Sequence, residues 1–408
     1  MKNILKYYGI VFSILFTHPQ IAYSIAVLYD PEIVVVLMVK NEEQVIVSTL
    51  KPFYDAGIKA YQIFDTGSTD NTIQNTRDFF AQYPDIIGHV DEEPFVNFEY
   101  SRNRAMEIAR QHFPNAGFFV MIDAEYYGKG LEYLKEFCHQ ELQKPFNDKS
   151  PTAYYVRLHA GDLVLDQVRL VRKESNDKWV GKVHEVIVAE RLDFVPRNVE
   201  FYFKPEKAGR EKSLARWHWD KAILLEEYNK NPKDSRTLFY LAQTYECLGD
   251  IHNAVRYYIL RSQQAQNTEE DFICLYRLGI LYSELNCIHE AIDFLLHAYA
   301  MRPTRAEPLV RLAQLYWKQK NYPLSYLYAY QATKIPFPKT DVLFIEKEIY
   351  EWVRYDILSC AAFYINELKR GYKAALKAAA YGPKDSVSLQ TNILCYEHAL
   401  EAIKGQLA

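Results

Sequence analysis

The sequence predicts an α/β domain with a mostly parallel sheet, followed by an all-α array of helical repeats. Three observations carry that prediction. β-Branched and aromatic runs alternate with helix-spaced segments from Ile33 to Ile122. Strand patterning stops near Ser213. Beyond it, a Leu–small–Tyr pattern returns at offsets of 37 and then 34 residues, as Leu241, Leu278 and Leu312 show.

At 408 residues the chain is too long for one ordinary core and suits two or three domains. Hydrophobic residues make up 49% and charged residues 25%, the mix of a folded chain rather than a disordered one. A net charge of -4 argues against a non-specific grip on nucleic acid. The six cysteines, at 138, 247, 274, 287, 360 and 395, contain no CxxC pair, which excludes a zinc ribbon. They are expected as buried thiols in helices.

Residues 1–24 read as a signal peptide or signal anchor. Lys2 and Lys6 mark a short basic start, an apolar run from Tyr7 to Thr17 follows, and Ala22 and Ser24 form a small-x-small pair. If that segment is used, the protein is secreted or membrane-associated; if not, it is cytoplasmic. Nothing later in the chain is apolar enough to span a bilayer.

The first domain is placed at 30–208. Ile33–Val39 is a continuous β-branched run, the mark of a strand buried on both faces. Glu42 to Tyr54 has helical spacing, Tyr61 to Asp65 is the second strand, and Thr66 to Asp70 is the turn after it, with Asp70 or Thr69 capping a helix from Thr72 to Tyr83. Ile86 to Val90 is a third strand, Asn97 to His112 a helix, and Phe118 to Ile122 a fourth strand. After a break at Gln143 to Pro151, the segments Ala153 to His159, Leu163 to Arg172 and Trp179 to Ala189 read as strands extending the sheet.

This rhythm implies right-handed crossovers and ligands at the carboxyl ends of the strands. Polar clusters sit there: Lys40-Asn41-Glu42, Asp65 to Ser68, Asp91 to Glu93 and Asp123-Ala124-Glu125. There is neither GxGxxG nor GxxxxGK[ST], so dinucleotide and P-loop readings fall away. Strand-end carboxylates suit a hard divalent cation bridging a diphosphate.

Five stretches, MVKNEE (38–43), FDTGSTDNT (64–72), SRNRAMEIA (101–109), MIDAE (121–125) and GKVHE (181–185), then resemble in order and spacing the family 2 glycosyltransferases of the GT-A fold. The resemblance implies a nucleotide-sugar donor, Mg²⁺ or Mn²⁺, and a glycan, peptide or protein acceptor. It implies that Asp65 holds the base or ribose, beside the main chain at Val39 and Asn41, and that Arg102 lies near the diphosphate. Asp123 would contact the ribose and the metal, Glu125 the metal, and His184 would complete the metal site. Glu185 is then the catalytic base, with Asp162 its rival. The family motif usually reads Asp-Ala-Asp-Glu, where this chain has Glu125 and Tyr126.

The second domain, 213–408, is tetratricopeptide-like. Small residues at Ala242, Gly279 and Ala313, and at Ala254, Ala291 and Ser325, let paired helices pack closely, with Tyr245, Tyr282 and Tyr316 filling the gap between them. Further helices are expected at Asp220 to Asn229, Val342 to Ile365, Gly371 to Ala379 and Val387 to Ile403. Such solenoids commonly receive a peptide or protein.

Two functions compete at this level. One is an inverting, divalent-metal-dependent transfer of sugar to an acceptor. The alternative is a catalytically decayed transferase serving as a repeat-based protein-binding scaffold, for which Tyr126 in place of an acid is the sequence argument. A metal-hydrolase reading fails, because His184-Glu185 does not open an HExxH helix.

Overall fold

A computed structural model describes residues 31–161, 163–204, 210–264 and 268–407. The leader reading at 1–24 and Asp162 lie outside the described residues. Within them are two compact units: residues up to Leu158 with those from Gln167 to 204, and His159–Asp166 with those from 210 onward.

The first unit is built on β1 (Ile33–Val39), β2 (Ala60–Asp65), β3 (Ile87–Glu92) and β4 (Phe118–Met121). These four are parallel neighbours in the order β3-β2-β1-β4. The crossovers are α1 (Ile46–Asp55), α2 (Thr72–Gln82) and α3 (Phe98–His112). Asn97 caps α3 by accepting from the Tyr100 N–H at 2.8 Å. Val34 and Val36 of β1, Phe64 of β2, Ala105, Met106 and Ala109 of α3, and Phe119 and Met121 of β4 form one buried cluster. Register then sets the strand ends side by side, pairing Val39 with Asp65 and Asp65 with Glu92.

The sheet continues with β7 (Leu163–Arg172), β6 (Ala153–Ala160), β11 (Glu200–Phe203) and β5 (Tyr126–Lys129), and β10 (Leu192–Phe194) pairs with β6. β5, β10, β11 and the helix α4 (Leu131–Gln143) are not among the expected elements, although Leu131, Leu134 and Cys138 of α4 are buried at helical spacing. Gly130, at φ 68°, turns the chain into α4; a Cβ there would meet the Asn198 carbonyl at 2.0 Å, so only glycine fits.

The strand expected over Trp179 to Ala189 is instead a hairpin of β8 (Lys178–Val180) and β9 (Val186–Val188). Left-handed backbone at Gly181 (φ 110°) and His184 (φ 51°) reverses the chain. Asn103 holds that hairpin, donating to the Trp179 carbonyl at 2.8 Å and accepting from its N–H at 2.9 Å.

The second unit begins with α5 (Arg210–Lys230), ten residues earlier than expected from the sequence, and continues in pairs: α6 (Ser235–Cys247) with α7 (Ile251–Ser262), α8 (Thr268–Glu284) with α9 (Ile288–Met301), and α10 (Glu307–Lys318) with α11 (Tyr322–Ala332). A fourth pair, α12 (Arg354–Tyr364) and α13 (Leu368–Tyr381), is followed by α14 (Val387–Leu407). Ala242, Gly279, Ala313 and Ser359 are buried at one recurring position of the first helices; Ala254, Ala291, Ser325 and Gly371 are buried at another, in the second helices. Larger side chains would collide: a Cβ on Gly279 would meet Leu295 at 2.6 Å, and one on Gly371 would meet the Tyr396 hydroxyl at 1.9 Å. The expected tyrosines do fill the gap, stacking as Tyr245–Tyr257, Tyr282–Phe294 and Tyr316–Tyr328 at 5.4, 5.4 and 5.6 Å. The fourth pair puts buried Ala362 and Ala374 at those two positions instead.

Each pair turns through the same backbone device. Gly249, Asn286, Lys320 and Asn366 have φ of 76°, 59°, 60° and 64°, and the next residue donates its N–H to the carbonyl of Tyr245, Tyr282, Tyr316 or Ala362 at 2.9 Å.

The single helix expected over Val342 to Ile365 is corrected. Residues 342–344 are irregular, β12 (Ile345–Glu346) pairs with Leu163 and Val164, a π-helical turn covers Ile349–Val353, and only then does α12 start. Side chains take the backbone groups that a helix would use. Glu269 accepts from the Val342 and Leu343 N–H groups at 2.9 Å each, and Arg305 donates to the Leu343 and Phe344 carbonyls at 3.2 and 3.0 Å. The cysteine expectation is also corrected: Cys138 and Cys274 are buried, whereas Cys247 and Cys395 are exposed.

Left-handed backbone costs a side chain about 1–2 kcal/mol and a glycine almost nothing. Lys320→Gly is therefore expected to stabilise the helical unit by up to ~1 kcal/mol after the added unfolded-state entropy, and so to raise its urea midpoint. Gly249→Lys should lower it by a similar amount. Midpoints that do not move in opposite directions remove this turn from the account of stability.

Candidate functional site

At the carboxyl ends of β1 and β2 the two polar loops are laced together. Thr66 donates its N–H and its hydroxyl to the Val39 carbonyl, at 2.9 and 3.0 Å. Asn41, at φ 56°, donates its N–H to the Ser68 hydroxyl at 2.9 Å and accepts from the Thr69 N–H at 2.8 Å. The Glu43 N–H donates to Asp70 at 3.1 Å, and the Glu43 carboxylate accepts from the Asn71 N–H at 3.0 Å. Asp70 also accepts from the Thr72 N–H at 3.0 Å, but the N-cap of α2 is Asn71, with no side-chain cap bond, rather than the expected Asp70 or Thr69. These bonds hold the Asp70 carboxyl below its ordinary range, outweighing the effect of burial.

Asp65 is buried and shapes the turn: its Oδ1 accepts from the Gly67 and Ser68 N–H groups at 2.8 and 2.7 Å. Its Oδ2 is buried with no hydrogen-bond partner. Val39, Asn41 and Asp65 are thus brought together, with their donors and acceptors largely spent on each other's loops.

A second group forms around Arg102 on α3. Its guanidinium lies 2.7 Å from Asp123 and 2.6 Å from Glu185, and 4.8 Å from the centre of the Trp179 ring. Asp123 uses its other oxygen on Arg169 at 2.9 Å. Two guanidiniums and two carboxylates alternate, so the group is neutral. Burial alone would push the Asp123 carboxyl up, but Arg102 and Arg169 outweigh it and hold it well below the usual carboxylate range. Burial alone would lower the Arg102 value, and Asp123 and Glu185 raise it instead.

Among the described residues this geometry does not assemble the expected metal centre. Both Asp123 oxygens are engaged by guanidiniums, and Glu185 is held by Arg102. The Glu125 carbonyl accepts from the Lys204 N–H at 2.8 Å, and His184 sits in the β8–β9 turn. Among the described residues no three His, Cys, Asp or Glu side chains are grouped to hold a metal ion. The residues present do not fit the Mg²⁺ or Mn²⁺ that the resemblance implied. Arg169 and Trp179 were missed in the sequence; the signal was a single charge inside the apolar run Val168 to Val171.

The helical unit presents a different surface. Two residues before the small position of α6, α8 and α10 stand Tyr240, Arg277 and Arg311; one residue after it stand Gln243, Ile280 and Gln314. All six are partly exposed. Arg277 of α8 pairs with Glu246 of α6. Arg311 of α10 donates to the Tyr276 hydroxyl of α8 at 2.9 Å and lies 2.5 Å from Glu346. Arg236 of α6 stands over the Tyr240 ring at 4.7 Å and 3.9 Å from Glu270. Cross-repeat bonds therefore bring the first helices into register on one face.

No protein-family model matches the chain. No curated protein matches it either. Among solved structures, MamA is similar at 16% identity, with 42% of this chain and 92% of that chain covered and a TM-score of 0.35. YrrB, described as a TPR protein with an unusual peptide-binding site, is 12% identical over 44% and 84% of the two chains, with a TM-score of 0.35. The first TPR of Spaghetti (RPAP3), solved bound to the HSP90 peptide SRMEEVD, is 16% identical over 32% and 95%, with a TM-score of 0.27.

The expectation of a family 2 glycosyltransferase, and of an enzyme of that type, is corrected accordingly. Two of the similar structures, YrrB and the Spaghetti domain, are TPR proteins. Of the carboxylates assigned to donor, metal and base, Asp65 shapes a turn, and Asp123 and Glu185 stand in ion pairs. What remains is a mixed α/β unit and a mainly helical, tetratricopeptide-like unit.

Asp123→Asn leaves two buried guanidiniums facing one carboxylate and is expected to cost about 3–5 kcal/mol at pH 7. The native carboxyl is depressed, so its contribution is present above the ordinary carboxylate range and lost as pH falls through and below it. Urea denaturation of both proteins should show the penalty shrinking between pH 5 and about pH 3. An equal penalty at both pH values would sink this assignment.

Proposed function

We propose that the protein is a repeat-based scaffold whose helical unit binds a protein segment along the face of α6, α8 and α10. The observation that carries this reading is the register of partly exposed side chains at two repeat positions, Tyr240, Arg277 and Arg311 with Gln243, Ile280 and Gln314. In a solenoid, residues at one repeat position stand in a row, and such a row can track an extended chain. The side chains suit an extended partner, with amide and guanidinium groups for its backbone carbonyls and Tyr240 and Ile280 for apolar contact. The cross-repeat ion pairs hold these side chains in place before anything binds, which lowers the ordering cost of association.

Panning a displayed peptide library against the full chain tests the proposal. Enriched peptides are expected to bind with a Kd of about 1–100 µM. Gln243→Trp and Gln314→Trp, which fill the face without touching the buried small positions, should each weaken binding by about tenfold or more. Failure to enrich any peptide, or affinity unchanged in both variants, overturns the proposal.

A further inference from the structure

At the end of this face lies a cleft of about 340 Å³, between α10 and the π-helical turn. Arg311 and Gln314 belong to its rim, so it is continuous with the proposed docking face. Its other wall is Ile349, Trp352 and Val353, and it also contains Glu346, Glu348 and Asp356. The volume is within the range of pockets that accept a small group.

We infer that this cleft receives a cationic side chain, lysine or arginine, of the bound protein segment; the inference rests on the scaffold reading above. Charge decides the sign. Arg311 is the one cation of the lining, and it is already paired with Glu346 at 2.5 Å. Glu348 and Asp356 have no ion-pair partner among the described residues, whereas the nearby Lys347 is exposed and paired with Glu351 at 3.2 Å. Two carboxylates therefore stand in excess.

Asp356 accepts from Asn392 at 3.0 Å. Burial nonetheless raises its pKa, because that neutral donor offsets only part of the desolvation. A guanidinium or ammonium arriving there would relieve the penalty, while an anion would add to it. The apolar wall suits the rest of such a side chain. Its methylene stem can lie on Ile349 and Val353 with the charge over the Trp352 ring. A purely apolar side chain would cover that wall but leave two carboxylates desolvated and unpaired.

The test uses fluorescein-labelled nonapeptide pools in which one position at a time is fixed as Arg, Lys, Glu, Leu or Ser and the rest are an equal mixture. Anisotropy titrations with the full chain should show one position where Arg or Lys binds about fivefold or more tighter than Glu, a preference that weakens with added salt. Glu348→Gln, and separately Glu348→Gln with Asp356→Asn, should reduce that preference to within about twofold. Circular dichroism melts establish that each variant is folded, and the single variant keeps the test valid if the double one is not. A basic preference that survives in folded Glu348→Gln, a preference for Glu, or no charge preference overturns this inference. If pools bind and Gln314→Trp blocks them but no basic position emerges, the cleft assignment falls and the scaffold stands. If no pool binds, both fall.

Discussion

Buried guanidiniums organise both units. An arginine taken out of water must find a partner for its charge and for most of its five donors, or the cost is several kcal/mol. Arg102 meets that demand with Asp123 and Glu185, and in doing so ties α3 to the end of β4 and to the β8–β9 turn. Arg172 donates to the Pro151 carbonyl at 3.1 Å and to the Glu141 carboxylate at 3.1 Å, fixing the chain between α4 and β6. In the helical unit Arg261, fully buried, joins the end of α7 to Asp271 and Glu270 of α8. Arg305 gathers Glu307, Asp341 and two backbone carbonyls, and so determines where the irregular segment before β12 runs. At Arg172 and Arg305 the irregular chain follows the donors of one side chain.

The helical pairs rest on a second, simpler constraint. Two helices approach closely only where one side chain is small, and the recurring Ala, Gly and Ser positions meet that condition four times. Close approach buries the small positions and leaves the residues two before and one after them half exposed in α6, α8 and α10. The surface proposed for docking is therefore a by-product of the packing rule. The segment of 333–348 interrupts the rule, and with it the spacing of the repeats. The cleft beside the π-helical turn exists because α12 starts late, displaced by the bonds of Arg305 and Glu269.

Much of this was legible in the residues. β1, β2 and β4 could be read because their β-branched and aromatic runs are buried by any parallel sheet. The first three helical pairs could be read because Leu241-Ala242, Leu278-Gly279 and Leu312-Ala313 encode a local contact. The fourth pair was only weakly visible, since Ala362 and Ala374 replace its aromatic stack, although Asn366 preserves the left-handed turn. The motif resemblance misled for a physical reason. Short polar residues at strand ends suit a ligand, but they equally suit two loops that hydrogen-bond to each other, as Asn41, Glu43, Ser68 and Asp70 do.

By itself, the sequence determined the succession of elements, the change from strands to repeats, and which faces must be apolar, because these follow from periods of two, 3.6 and about 34 residues along a single chain. Only the tertiary structure decided what the charged side chains are for. Arg102 and Glu185 are 83 residues apart, and Arg305 and Asp341 are 36 apart, and no local pattern announces either pair. A carboxylate next to a guanidinium is a strut, and one without a cation beside an apolar wall is the proposed receptor. That difference rests on distances of a few ångströms between distant parts of the chain.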